Sequence, residues 1–264
     1  MFYYKSLQWL SNADSKLLKN IIKNPKLSLN HSYINSKLNL EDELSLSNFL
    51  FENKKKIKKN NLKKINLYII SGSNISFIKK SIFLNCLRNY NFVDIEVFET
   101  YNLYESFLNY KKKKIDSSEK NIVFISLDTL HLIEFKKKQP IKDYINTINM
   151  ILHRLLEDNV TIIIQNLINY QSLNYINKVN NYLLKLSKKY KFTIFDINKY
   201  TNPISKKDWF DNVKYNFAKI PFSTEYFSFY SYKLSRLISV IFGGSKKVLV
   251  LDLDNTLWGG IVGE

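Results

Sequence analysis

The chain has 264 residues, 45% hydrophobic and 15% aromatic, with 40 Lys and Arg against 23 Asp and Glu, a formal charge of +17. That apolar share excludes a wholly disordered chain, and no run of about 18 apolar residues exists to make a membrane-spanning helix. A single cysteine, Cys86, excludes an internal disulfide and fits a reducing, cytoplasmic compartment. The start, Met1 to Lys5, lacks the basic-then-apolar pattern of a secretory leader. The positive charge is nearly all lysine, since Arg88, Arg154 and Arg236 are the only arginines. Lys, Asn, Ile, Tyr and Phe are abundant while Ala is confined to Ala13 and Ala218, the balance an A/T-rich coding sequence produces without selection for a basic surface. Specific readers of nucleic acid lean on arginine, so the charge is read as compositional and nucleic acid is not the expected partner.

Residues 1 to 61 read as a helical extension ending in a basic linker. Leu7, Leu10, Leu17 and Leu18 recur at helical intervals, Pro25 breaks the first helix, and Leu38, Leu40, Leu44 and Leu46 form a second apolar patch. The run from Lys54 to Asn61 predicts a solvated linker. From residue 62 to 242 strands and helices alternate. The expected strands are 66–70, 93–98, 121–127, 160–165 and 192–196, and the expected helices are 75–90, 141–157, 172–190 and 224–242. The strands are continuously apolar, as in Ile122-Val123-Phe124-Ile125, which predicts a parallel sheet covered on both faces: one α/β, doubly wound, three-layer domain. Gly243-Gly244-Ser245 reads as a hinge, and residues 246–264 as the start of a further domain opening with a buried strand over 246–251.

That last strand is followed by Asp252-Leu253-Asp254-Asn255-Thr256. Residues two apart on an extended chain point the same way, so both carboxylates converge just past the strand, where open α/β sheets bind ligands. Two carboxylates repel unless a cation or proton is shared, and Mg²⁺, a hard oxygen-seeking ion, suits them and a phosphate together. A carboxylate held beside a phosphate can attack it, while its neighbour moves a proton.

An apolar strand followed by Asp-x-Asp-x-Thr resembles the opening motif of the haloacid-dehalogenase (HAD) superfamily. With Leu257-Trp258-Gly259-Gly260 following directly, it is similar to the FkbH-like, subclass IIIC branch. The segments Trp209 to Asp211 and Ala218 to Ser223 add to the likeness. The resemblance implies Asp252 as nucleophile and metal ligand, Asp254 as general acid/base and metal ligand, and Asn255 and Thr256 shaping the substrate side of the turn. It also implies Mg²⁺ as cofactor, a phosphorylated acyl unit of glyceryl type as substrate, and an acyl carrier protein as acceptor. Residues 62–242 would then be an SGNH-hydrolase-like domain, an SGNH/flavodoxin-like three-layer sandwich. The Lys and further acids that the superfamily places downstream do not occur in these 264 residues, so activity from this chain alone is not expected, and a second chain could supply the rest. A thiol-based acyl transfer would fall to Cys86, which sits in an apolar helical stretch and is expected to be buried and inert.

An SGNH-like domain would carry its nucleophile just after its first strand, where Ser73 stands in Ser71-Gly72-Ser73-Asn74. The partners are missing: Ser126-Leu127-Asp128-Thr129-Leu130 holds no oxyanion-hole Gly or Asn, and no His follows Asp208 or Asp211 by three residues. Ser73 is therefore expected as a turn residue of a degenerate, non-hydrolytic scaffold. His131 and His153 read as structural, and the aromatics from Tyr226 to Tyr232 as core. Two readings stand beside the phosphotransferase: an SGNH-like module that docks an acyl carrier protein or a separate HAD chain, and a lysine-rich nucleic-acid binder.

Overall fold

The computed structural model describes residues 7, 10–12, 34–57, 59, 61–170 and 173–244. Five strands form one wholly parallel sheet: β1 (Lys63–Ser71), β2 (Asn91–Glu99), β3 (Asn121–Ser126), β4 (Thr161–Gln165) and β5 (Thr193–Phe195). Their order is β2-β1-β3-β4-β5, so the direction of winding reverses between β1 and β3. A separate two-residue parallel pair joins Ser11–Asn12 to Ser36–Lys37.

Side chains alternate across a strand, and that alternation divides the core into two layers. From β1, Ile65, Leu67 and Ile69 enter one apolar cluster, while Tyr68 and Ile70 enter the other. From β3, Ile122 and Phe124 go with the first, Val123 and Ile125 with the second. On the first face lie α1 (Leu40–Glu52), α2 (Lys79–Arg88) and the closing α10 (Phe227–Ile241). On the second lie α3 (Leu103–Lys111), α5 (Ile141–Leu156) and α6 (Asn174–Lys189). In α5 the buried residues are Tyr144, Ile148, Ile151, Leu152 and Leu155, the spacing of one helical face. Each fully buried aliphatic side chain there contributes about 1.5–3 kcal/mol. The architecture is the three-layer, doubly wound sheet expected from the continuously apolar strands.

The details differ from expectation where helices are short. α3 and α4 (Thr129–Lys138) were not foreseen, nor were α7 (Ile197–Thr201), α8 (Lys206–Trp209) and α9 (Asn212–Ala218). Most of these begin on a side-chain cap rather than an apolar repeat: Asn102, Asp128, Ser205 and Asp211 accept from backbone N–H groups of α3, α4, α8 and α9. The expected helix 75–90 starts instead as a 3₁₀ turn over Ser76–Ile78.

The segment before the sheet packs on it. Leu46 and Leu50 of α1 are buried in the first cluster. Arg88 at the end of α2 donates from both terminal nitrogens to the Glu43 carboxylate (2.6 and 2.7 Å), from Nε to the Ile34 carbonyl (2.6 Å), and to Asn85 Oδ1 (3.0 Å). The basic run is also less free than its composition implies. Lys54 pairs with Asp94 at 2.7 Å, and the Lys59 ammonium lies 4.2 Å from the centre of the Phe92 ring. Cys86 is buried and burial pushes its thiol pKa up, so it stays protonated and unreactive as expected. Tyr226, Phe227, Phe229 and Tyr230 are core.

Candidate functional site

At a reversal of winding, the loops leaving two adjacent strands turn to opposite faces and open a crevice. Here it lies between the ends of β1 and β3. Ser71 is in register with Ser126 of β3 and with Glu99 of β2, so the apolar strands all turn polar at the same level.

Past that row, β1 continues into Gly72-Ser73 and β3 into Leu127-Asp128. Ser73 Oγ donates to Asp128 Oδ2 at 2.6 Å, and both residues are buried. Asp128 is the cap of α4: its Oδ1 accepts from the Leu130 N–H (3.0 Å) and its Oδ2 also accepts from the His131 N–H (3.2 Å). Burial raises the Asp128 pKa to about 6 against these hydrogen bonds, which favour the anion. The His131 ring lies over Gly72 so closely that a Cβ there would sit 2.7 Å from its Cε1, so only glycine fits without moving the ring. Its Nε2 faces the Tyr101 carbonyl at 3.3 Å, and burial lowers its pKa, leaving it neutral at pH 7.

A second tier braces the crevice. Ser71 Oγ accepts from the Ser73 N–H (3.0 Å), and Ser106 Oγ donates to the Ser71 carbonyl (2.7 Å). Gln165, at the end of β4, donates to the Leu127 carbonyl (2.7 Å) and accepts from the Tyr230 hydroxyl. The Asn74 N–H donates to the carbonyl of Lys219, a residue in the left-handed region (φ 54°). Lys219 Nζ and the Tyr215 hydroxyl both donate to Glu134, at 2.8 and 3.1 Å.

Chemically, this is a serine whose proton is committed to a carboxylate, with an imidazole close by that makes no hydrogen bond to it. Ser73 stands just after the first strand, the position an SGNH-like domain would give its nucleophile, and its surroundings are those of a packed turn. Asp128 and His131 are the site residues that sequence reasoning passed over. In sequence, Asp128 lies in a stretch without an oxyanion-hole Gly or Asn and His131 reads as structural; the signal for Asp128 is an acid at the end of an unbroken apolar strand. The Asp208 carboxylate accepts from the hydroxyl of Ser205, the cap of α8, and Asp211 caps α9, so neither serves Ser73. His153 is exposed beside Tyr190. Asp252, Asp254, Asn255 and Thr256 lie outside the described residues.

The sheet order and the serine–aspartate pair at the winding reversal define the domain as a doubly wound α/β domain with its polar centre at the switch point. Among solved structures, the chain is similar to the N-terminal part of a Bacteroides fragilis protein containing a phosphatase domain, complexed with Mg, at 20% identity and a TM-score of 0.59. That match covers 79% of this chain and 60% of the other, so this chain spans less than two thirds of that protein part. Lesser likenesses are to a putative lipolytic protein of the G-D-S-L family from Desulfitobacterium hafniense DCB-2 (10% identity, 65% of this chain, 98% of that one, TM-score 0.49). A putative acylhydrolase from Bacteroides fragilis NCTC 9343 gives 11% identity, 69% and 89% coverage, and a TM-score of 0.48. No protein-family profile and no curated protein matches the chain. No helix among the described residues is long and apolar enough to cross a membrane.

Proposed function

We propose that this chain is the N-terminal part of an FkbH-like HAD phosphotransferase, in which an SGNH-like domain precedes the phosphoryl-transfer centre. The observation that carries the reading is Asp252-x-Asp254-x-Thr256 followed by Trp258-Gly259-Gly260, placed directly after a doubly wound α/β domain. The likeness to a protein part containing a phosphatase domain and complexed with Mg supports it.

In this reading an Asp252 oxygen attacks phosphorus, the bond from phosphorus to the leaving oxygen breaks, and Asp254 gives that oxygen a proton. Water then cleaves the aspartyl-phosphate, with Asp254 taking back a proton. The donor set, two carboxylates two residues apart, fits Mg²⁺, which would neutralise phosphate charge. The substrate is a phosphorylated acyl unit; for an acyl carrier protein to be the acceptor, the carrier's thiol would instead attack the acyl carbon, forming the thioester as the bond from that carbon to the phosphate oxygen breaks and inorganic phosphate leaves. The test is Mg²⁺-dependent phosphate release from acetyl phosphate by the chain joined to its downstream coding region. Release should be lost in Asp252→Asn with the fold intact; persistence in that variant would sink the reading.

The buried Ser73–Asp128 bond supports a companion reading of residues 62–242 as a non-hydrolytic scaffold. A serine whose proton is held by a cap carboxylate lacks the imidazole relay of an acyl-transfer nucleophile.

A further inference from the structure

The opposite end of the sheet has the reverse character. Where β1 and β3 begin, an open cavity of about 640 Å³ is lined by Lys59, Lys63, Lys64 and Lys120, with Asn66 and Glu119. A second, of about 740 Å³, adjoins it, sharing Glu119 and Lys120 and adding Lys191. Four lysines and one glutamate thus line the first cavity, an excess of three positive charges.

The nearby acids are already engaged. Glu119 accepts from Asn66 Nδ2 at 2.5 Å, and Asp158 in the second cavity is held by Lys111 at 3.0 and 3.1 Å. None of the four lysines pairs with a carboxylate among the described residues. Lys63 Nζ donates to the Phe242 carbonyl (2.6 Å), Lys59 lies over Phe92, and the Lys120 ammonium is 5.6 Å from the centre of the Phe242 ring. These contacts hold three of the four ammonium groups without neutralising them. Like charges gathered around a concave wall repel one another and concentrate positive potential inside it, so a multiply charged anion relieves the repulsion.

From this we infer that the cavity at the N-terminal edge of the sheet binds a small ligand carrying a multiply charged phosphate group. Lysine serves phosphate as a point charge, and the volume lies within the roughly 300–1,000 Å³ usual for small-molecule sites. A nucleic-acid strand fits less well. Single strands are held by open aromatic faces as well as charge, whereas no aromatic residue is among the described residues lining the first cavity, and the neighbouring rings Phe92 and Phe242 lie beneath lysine ammonium groups. The inference is independent of the roles of Asp252 and Asp254.

Calorimetric titration of the 264-residue chain with pyrophosphate at low ionic strength tests it. Saturable one-to-one binding is expected, weakened about tenfold or more in the double variant Lys64→Glu/Lys120→Glu. Both lysines are exposed, and melting of each variant checks the fold; Lys64→Gln replaces the pair if it unfolds. The control Lys137→Glu/Lys138→Glu changes net charge equally from the exposed end of α4 and should leave binding within twofold. Absence of pyrophosphate binding, or equal weakening by both double variants, overturns the inference. So does an oligothymidylate of about twenty nucleotides that binds this edge while pyrophosphate does not.

Discussion

The two ends of the central sheet are built from the same strands and have opposite chemistry. At the C-terminal end, Ser73 and Asp128 are buried and hydrogen-bonded to each other and to the start of α4. At the N-terminal end, four lysines stand around an open cavity with little to neutralise them. Open α/β sheets ordinarily bind ligands past the C-terminal ends of their strands. Here the polar groups of that end are occupied in holding loops together, while unneutralised charge is found at the other.

The difference can be probed by what each group costs to remove. Arg88 gives the largest expected effect. It lies near the same edge as the lysines but is buried and fully partnered, so it is structural where they are not. Arg88→Ala strands the Glu43 carboxylate in the core and should lower unfolding free energy by about 3–5 kcal/mol in urea denaturation. Replacing both members, as in Arg88→Met with Glu43→Leu, should recover most of it; equal losses in the single and double variants would mean the pair is not the cause.

Asp128 comes next. Its folded pKa is raised from an ordinary 3.8 to about 6, so the folded state holds the proton more tightly. Stability from this group is therefore full below about pH 4 and falls as pH rises through the window from about 4 to 6, by of order 3 kcal/mol at most. The difference in stability between wild type and Asp128→Asn, followed across that window, should trace this fall; a difference independent of pH would refute it.

A smaller effect is expected at Gly72. Gly72→Ala sets a methyl against the His131 ring and should cost about 1 kcal/mol, much of it recovered in Gly72→Ala/His131→Ala. Additive losses would show that the ring is not what glycine accommodates. Smallest of all, Lys64→Glu/Lys120→Glu should shift stability by less than about 0.5 kcal/mol, since these side chains are exposed and make no ion pair among the described residues. A fluorophosphonate should leave Ser73 unlabelled by mass spectrometry of the native chain, and stoichiometric labelling would contradict the scaffold reading.

The parts of the fold that were legible in sequence are those set by burial. The unbroken apolar run Ile122 to Ile125 reads as a strand covered on both faces, and the helices at 141–156 and 174–189 announce themselves by apolar spacing. α8 and α9 were illegible because four and seven residues hold no periodicity, and their starts depend on single caps, Ser205 and Asp211. Of the crevice, the place of Ser73 could be read from the end of β1. Its partner could not. Asp128 is 55 positions away and meets Ser73 only because β1 and β3 pair in the register that sets Ser71 beside Ser126. His131 was assigned to structure by its surroundings in sequence, and it is the sheet order that brings it over Gly72.

The loop following β4 carries a different kind of consequence. Asn180 of α6 accepts from the Leu167 N–H at 2.9 Å and donates to the Leu167 carbonyl at 2.8 Å, serving one residue's backbone as a neighbouring strand would. Asn198 donates to the same carbonyl, and Asn169 is tied to Asn177 and to Leu173. Amide side chains act here as substitutes for main chain, and amides hydrolyse slowly with age. Deamidation of Asn180 would set a carboxylate where the Leu167 carbonyl needs a donor, turning an attractive contact into a repulsive one at the point where α6 holds this loop.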